Sequence, residues 1–138
     1  MGRTYWFDCS KCGYRAKVSG GADRGLNFFV QTVACRDCRQ LYDAVYRMRV
    51  PDEPRASHLL SSRPRLRTAR RALPERPTFE TAVNSLLYRG IRHFRWMNYK
   101  LECPLSSLHR VRSWTSPDKC PRCGAFLEQN PAPYRIWD

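Results

Sequence analysis

Two Cys-x-x-Cys pairs lie in the first third of the chain, Cys9 with Cys12 and Cys35 with Cys38. Each pair fits a short turn whose backbone can direct both sulfurs at one ion, and four thiolates complete the tetrahedral shell that Zn²⁺ prefers. A shell closed by four protein ligands leaves no open position for a substrate. The spacing therefore predicts one structural zinc ion held by Cys9, Cys12, Cys35 and Cys38.

The remaining cysteines lie near the C-terminus, where Cys120 and Cys123 form a third pair and Cys103 precedes them. A regular turn after Cys103 would carry a second cysteine followed by glycine. Ser106 and Ser107 stand in those positions. A neutral serine hydroxyl is a poor zinc ligand, so three thiolates lack a fourth partner.

The fourth ligand of this second site must come from another residue type. His109 follows Cys103 by six residues and would complete a Cys₃His site. His93 and Asp118 are the alternatives, and a partial or metal-free site is a further possibility. The cofactor expectation is thus one Zn²⁺ ion, with a second possible. No base or carboxylate pair accompanies the cysteines, which argues against a catalytic metal.

These cysteine pairs, together with the run Cys120-Pro-Arg-Cys123-Gly, resemble the zinc-ribbon class of small β proteins. The order of ribbon, basic segment and second ribbon is similar to that of uncharacterised bacterial zinc-ribbon proteins. The resemblance implies antiparallel hairpins built around metal, but it implies no activity, because ribbons serve transcription, translation, replication and scaffolding alike. The run Cys9-Ser-Lys-Cys12-Gly-Tyr also resembles the first knuckle of rubredoxins, which would imply iron and electron transfer.

The hydropathy pattern predicts a small metal-stabilised α+β fold. Alternating residues predict strands at 14–18, 27–34 and 41–48 after a β-prone segment at 4–8. Apolar residues at helical spacing between Phe79 and Phe94 predict one amphipathic helix. The predicted organisation is a four-Cys ribbon (1–50), an Arg/Pro-rich linker or basic arm (51–77), the helix (78–97) and a degenerate ribbon-like module (98–138).

The formal net charge is +13, and it is spread unevenly. Residues 1–50 carry nine basic and four acidic side chains, residues 51–100 carry eleven and four, and the remainder carries five and four. An excess of this size favours a polyanionic partner, most often nucleic acid, because contacts to phosphates release counterions. An acidic protein surface is the alternative partner, and the arm may equally be a solvated linker.

The basic residues expected to contact phosphates lie in all of the first three segments. They are Arg15, Lys17, Arg36, Arg39, Arg63, Arg65, Arg67, Arg70, Arg71, Arg89, Arg92 and Arg95. We expect backbone contact and not sequence-specific reading. Aromatic residues such as Tyr14, Phe28 or Trp96 would stack on unpaired bases if they are exposed, although a core this small needs most of its rings.

Other function classes are less favoured by the sequence. A protein-binding adaptor would dock through the 78–97 helix and the C-terminal run Tyr134-Arg-Ile-Trp137, since interfaces favour aromatic and Arg residues. An enzyme is not expected, because the chain has no Gly-rich phosphate loop and no recognised catalytic motif around its histidines. We expect no small-molecule substrate and no membrane association. The absence of a secretory h-region and the wealth of cysteine pairs favour a cytoplasmic protein.

Overall fold

The computed structural model of the protein describes residues 1–51 and 94–137. The described strands, in chain order, are β1 Gly2–Asp8, β2 Arg15–Val18, β3 Ala22–Arg24, β4 Phe28–Cys35, β5 Gln40–Pro51, β6 Phe94–Asn98, β7 Val111–Ser113, β8 Glu128–Gln129 and β9 Arg135–Trp137. The chain divides into two compact units, one made of Met1–Met48 with Trp96–Asp138, the other of Arg49–Arg95. The two ends of the sequence therefore belong to one unit.

Two antiparallel sheets make up the first unit. In the first sheet β1 pairs with β2, β8 and β9, and in the second the order is β3-β4-β5-β6, with β7 also on β4. Segment 1–50 therefore contributes strands to both sheets. The same is true of the C-terminal segment, which supplies β8 and β9 to one sheet and β7 to the other.

Inward-facing residues of both sheets meet around Trp114, which is fully buried. The Trp114 ring packs edge-to-face on Phe7 of β1, with the ring centroids 5.2 Å apart. Its indole nitrogen donates a hydrogen bond to the backbone carbonyl of Lys119 at 3.0 Å, so the one polar atom of this large side chain is satisfied. Val18 and Leu41 complete the contact from the two sheets. Alternation along the strands, as the sequence predicts, places these residues inside.

A buried hydroxyl and carboxylate network ties the turn after β2 to the second sheet. Thr32, which is fully buried, donates to Asp43 Oδ1 at 2.7 Å and accepts bonds from the backbone N–H groups of Gly20 and Gly21. Ser19 donates to the same carboxylate through both its hydroxyl and its N–H. Burial raises the pKa of Asp43, although the bonds from Thr32 and Ser19 act in the opposite direction.

Replacement of Asp43 should be costly. In Asp43→Ala the donors of Ser19 and Thr32 lose their acceptor, and we expect the free energy of unfolding to fall by about 2–3 kcal/mol. Asp43→Asn keeps one acceptor oxygen and should lose less than half of that. Chemical denaturation of the metal-loaded variants measures both values. Equal losses in the two variants would show that the carboxylate charge, and not its acceptor role, matters.

The predicted α+β class is wrong for the part of the chain that the structure describes. Residues 1–51 and 94–137 contain strands and no helix. The last residues of the predicted 78–97 helix form β6 instead, beside β5. Pairing to a neighbouring strand outweighs the helical spacing of the apolar residues here, because spacing is a local signal. The remainder of the predicted helix, and the basic arm up to residue 77, lie outside the described residues apart from Pro51. No described helix is long and apolar enough to cross a membrane.

Candidate metal centres

Four cysteines from opposite ends of the chain form the first candidate centre, here called cluster 1. Its members are Cys9, Cys12, Cys120 and Cys123, and their sulfurs all lie within 4.8 Å of one another. The Sγ atoms of Cys9 and Cys123 are 3.4 Å apart, and those of Cys12 and Cys120 are 3.8 Å apart. Cys12 is exposed, whereas Cys9 and Cys120 are buried.

The second centre, cluster 2, joins the Cys35–Cys38 turn to the segment from Cys103 to His109. It consists of Cys35, Cys38, Cys103 and His109, again with all ligand atoms within 4.8 Å of one another. Cys38 Sγ lies 3.7 Å from Cys103 Sγ and 3.2 Å from His109 Nδ1. The Nδ1 atom of the imidazole is therefore the nitrogen that faces the cluster.

These separations fit metal ligands and exclude disulfides. A disulfide needs sulfurs about 2.05 Å apart, and all seven cysteines are free. Four sulfurs each about 2.3 Å from a tetrahedral ion lie about 3.8 Å from one another. Both clusters can hold a metal ion in a shell closed by four protein atoms.

Strand pairing brings the ligands of each cluster together. For cluster 1, β8 pairs antiparallel to the end of β1, with Asp8 opposite Glu128, and this places the 120–123 turn beside the 9–12 turn. For cluster 2, β7 pairs with the end of β4, with Cys35 opposite Val111. The bond from Arg36 N–H to the Arg110 carbonyl extends that pairing and brings His109 to Cys35.

The three Cys-x-x-Cys turns share one backbone conformation. The residue after the second cysteine has a positive φ in each: Gly13 at 68°, Arg39 at 53° and Gly124 at 76°. In two of the turns this residue donates its N–H to the carbonyl of the first cysteine. Backbone N–H groups also point at sulfur, as in the 3.4 Å contact from Cys38 N to Cys35 Sγ. Arg39 occupies a left-handed conformation that glycine adopts at lower cost.

Arg39→Gly should therefore stabilise the metal-loaded protein. The left-handed conformation costs a residue with a Cβ about 1–2 kcal/mol. Glycine avoids this cost, but its larger conformational entropy in the unfolded state offsets about half of the gain. We expect a gain of about 1 kcal/mol in chemical denaturation. Arg39→Ala, which removes the same side chain but keeps the Cβ, should give no gain. A gain in both variants would trace the effect to the lost charge.

Burial, backbone N–H groups and neighbouring side chains shift the pKa values of several thiols in the two clusters. The pKa of Cys9 is lowered to about 7, first by the N–H of Cys12, against the opposing effect of burial. The pKa of Cys38 is raised to about 11 by burial and by Cys35 and Cys103. At Cys103, burial is outweighed by the Leu105 N–H and by His109, and its pKa falls to about 7. Metal binding requires deprotonated thiols, so metal affinity falls as the pH falls.

The ligand grouping differs from the sequence prediction. Cys9 and Cys12 do not share a site with Cys35 and Cys38; each pair instead meets ligands from the C-terminal third. His109 lies with Cys103, as expected, but not with the Cys120–Cys123 pair. Asp118 is a member of neither cluster and accepts a bond from Arg112 Nη1 at 2.7 Å. His93 lies outside the described residues.

The predicted phosphate-contacting residues fall into two groups. Arg15, Lys17, Arg36, Arg39 and Arg95 are exposed in the structure, whereas Arg63, Arg65, Arg67, Arg70, Arg71, Arg89 and Arg92 lie outside the described residues. Tyr14 is buried, and Arg122 lies over its ring, so it cannot stack on a base. Phe28 is stacked on Trp137 at 4.9 Å, and Trp96 is 41% exposed.

No protein-family model, curated protein or solved structure matches the chain. Its function must therefore be argued from its own geometry. The two clusters fit the resemblance to zinc ribbons at the level of the cysteine turns. The C-terminal run Tyr134–Trp137 is not a free docking tail, because β9 pairs with β1 and the Tyr134 N–H bonds to the Thr4 carbonyl.

Two aromatic groups on the sheets were not predicted from the sequence, although Trp96 and Tyr134 were each named there as possible contact residues. Trp6 and Tyr134 lie together on the first sheet, with their centroids 5.5 Å apart, and Phe29 and Trp96 lie together on the second, 5.1 Å apart. Each group carries basic side chains over its rings. Strand alternation could have placed Trp6 outside, but no local signal pairs it with Tyr134, which is far away in sequence.

Proposed function

We propose that this protein is a zinc-stabilised, non-enzymatic module that binds nucleic acid through its phosphate backbone. The choice of zinc rests on the ligands: thiolates and one imidazole in compact four-atom shells suit Zn²⁺. Both shells are closed, so the metals serve the fold. An iron-binding, rubredoxin-like carrier would draw four cysteines into each shell, whereas cluster 2 uses His109.

The proposed nucleic-acid site is the outward face of the first sheet, named the Trp6 patch after Trp6, Arg15, Lys17 and Tyr134. Trp6 lies opposite Lys17 in the register of β1 and β2, so the two side chains leave the same face. Phe7, the next residue, points inward and is fully buried. Alternation thus separates a core face from a face that presents rings and cations.

The contacts within the Trp6 patch carry the proposal. Lys17 Nζ lies 4.5 Å from the Trp6 ring centroid and 4.2 Å from that of Tyr134, whose hydroxyl it meets at 3.1 Å. Arg15 lies over Trp6 at 4.6 Å. Cations held on aromatic faces keep outward N–H donors in place, and such pairs suit both phosphates and bases.

Charge favours a polyanion over a neutral partner at this patch. Asp8 accepts a bond from Arg15 Nε, which offsets one positive charge, but Lys17 contacts no carboxylate of residues 1–51 and 94–137. The exposed Arg36 and Arg39 add to the positive surface of the same unit. The whole chain, at +13, would release counterions on binding a phosphate backbone.

Charge reversal at Lys17 tests the proposal. Lys17→Glu should weaken binding of a fluorescent oligonucleotide about tenfold at low salt and reduce the slope of log affinity against log salt by about one, because one phosphate contact is lost. Fluorescence anisotropy across a sodium chloride series measures both quantities.

The matched control is Lys119→Glu, an exposed lysine on the turn before Cys120 that makes the same change in net charge. It should lower affinity less and leave the salt slope close to that of the parent protein. Equal effects of the two variants would assign binding to overall charge and remove the case for the Trp6 patch.

A further inference from the structure

A second group of rings lies on the second sheet, here named the Trp96 patch: Phe29, Tyr46, Arg47 and Trp96. Phe29 meets Trp96 edge-to-face at 5.1 Å, with an interplanar angle of 80°, and meets Tyr46 at 6.1 Å. The Arg47 guanidinium lies 5.3 Å from the Trp96 centroid and 5.5 Å from that of Phe29. Trp96 is 41% exposed, so part of its ring is open to a ligand.

Strand register makes this patch basic. Phe29 lies between Arg24 on β3 and Arg47 on β5, and cross-strand partners share a face. The carboxylates of the same strands point the other way, because Asp23 pairs with Val30 and Asp43 with the buried Thr32. Rings and guanidinium groups are thus collected on one face and acidic groups on the other.

The guanidinium of Arg47 lies over the rings of Phe29 and Trp96. Its Nε atom is the one buried side-chain nitrogen or oxygen within residues 1–51 and 94–137 that has no hydrogen-bond partner. A buried donor without an acceptor costs free energy, so the contacts of Arg47 with the two rings must offset that cost. An arginine stacked on tryptophan places a flat cation beside the open part of the ring.

We propose that the Trp96 patch binds unpaired bases, so that the ligand of this protein is a single nucleic-acid strand and not a duplex. The inference rests on the proposed nucleic-acid function and specifies its ligand. Bases inside a duplex are covered by their neighbours, whereas a single strand offers ring faces that stack on exposed aromatic side chains regardless of sequence. Arg47 and Arg24 supply charge for the adjoining phosphates.

The test compares Trp96→Ala with Trp96→Phe on two probes, an oligothymidylate of about 20 nucleotides and a duplex of the same length. Trp96→Ala should weaken binding of the single strand roughly tenfold and leave duplex binding unchanged, while Trp96→Phe keeps a ring and should lose far less. Phe126→Ala is the matched control. Phe126 is also an exposed aromatic residue, at 63%, but it lies at the cluster 1 turn and not in the Trp96 patch. This variant should change neither affinity.

Photo-crosslinking gives a readout that does not depend on folding of a variant. An oligonucleotide carrying 5-iodouracil should crosslink to a peptide containing Phe29 or Trp96 in the parent protein. Equal weakening on both probes, or no weakening together with no such crosslink, overturns the inference. If Lys17→Glu still weakens oligonucleotide binding as expected, the proposed nucleic-acid function stands although the inference about the Trp96 patch fails. Failure of the parent protein to bind either probe, with binding to an acidic peptide, overturns both.

Discussion

Replacing two cysteines that are far apart in sequence should cost only one metal ion. Native mass spectrometry of Cys9→Ser, of Cys120→Ser and of the double variant should each show one zinc per chain, because both residues belong to cluster 1. The double variant Cys9→Ser with Cys35→Ser should show none. If the ligands were grouped along the sequence, these two results would be exchanged.

The stabilities of the same variants should follow the same grouping. Metal binding and folding are coupled, so the first ligand lost from a site removes most of that site's contribution. We expect the double variant within cluster 1 to be about as stable as either single variant, and the variant that crosses clusters to be unfolded. Residues that act as one unit give such non-additive losses.

A measurement on the unmodified protein covers the case in which a single substitution unfolds everything. Slow chelation produces a one-metal species, and an alkylating reagent then marks the thiols that it frees. Peptide mapping should find the thiols modified as one of two sets, either Cys9, Cys12, Cys120 and Cys123 or Cys35, Cys38 and Cys103. A set that joined Cys9 with Cys35 would contradict the structure.

The cysteine turns could be recognised from sequence because their chemistry is local. A Cys-x-x-Cys pair contains its own turn, and the conformation after the second cysteine recurs at Gly13, Arg39 and Gly124. Which turn meets which is not local. All of the turns offer nearly the same ligands, so spacing alone cannot distinguish a partner that is near in sequence from one at the far end. The pairing of β1 with β8 and of β4 with β7 decides it.

Strands β1, β2, β4 and β5 could be predicted for the same reason, because alternation is a local property of each segment, whereas β3 (Ala22–Arg24) was not predicted. Their assignment to two sheets could not, since it depends on which edge of β1 and β4 the C-terminal strands occupy. For the apolar residues around Phe94, the local pattern predicted the wrong type of element. Their helical spacing was real, but β6 forms beside β5 in the structure, where pairing to a neighbouring strand provides the backbone hydrogen bonds.

His109 is the ligand with the sharpest single-site test. His109→Ala should weaken zinc binding at cluster 2 roughly 100-fold, about a quarter of the binding free energy of a four-ligand site, and should leave the affinity of cluster 1 unchanged. His109→Cys supplies a thiolate in the same place and should hold two zinc ions. Zinc stoichiometry by native mass spectrometry and competition with a chromogenic chelator measure these effects.

The geometry around His109 gives a reason to expect the rescue. Its Nδ1 atom lies 3.2 Å from Cys38 Sγ, and its N–H bonds to the Ser106 carbonyl at 3.2 Å, so the backbone here is already fixed by the turn after Cys103. A cysteine side chain is shorter than histidine, but Nδ1 is the nearer ring nitrogen, and a sulfur can occupy a similar position. Cobalt substitution should then move the absorption of cluster 2 towards that of a four-sulfur site. An unchanged zinc affinity of cluster 2 in His109→Ala would show that another residue closes the shell, and would leave His109 a neighbour of the cluster and not a ligand.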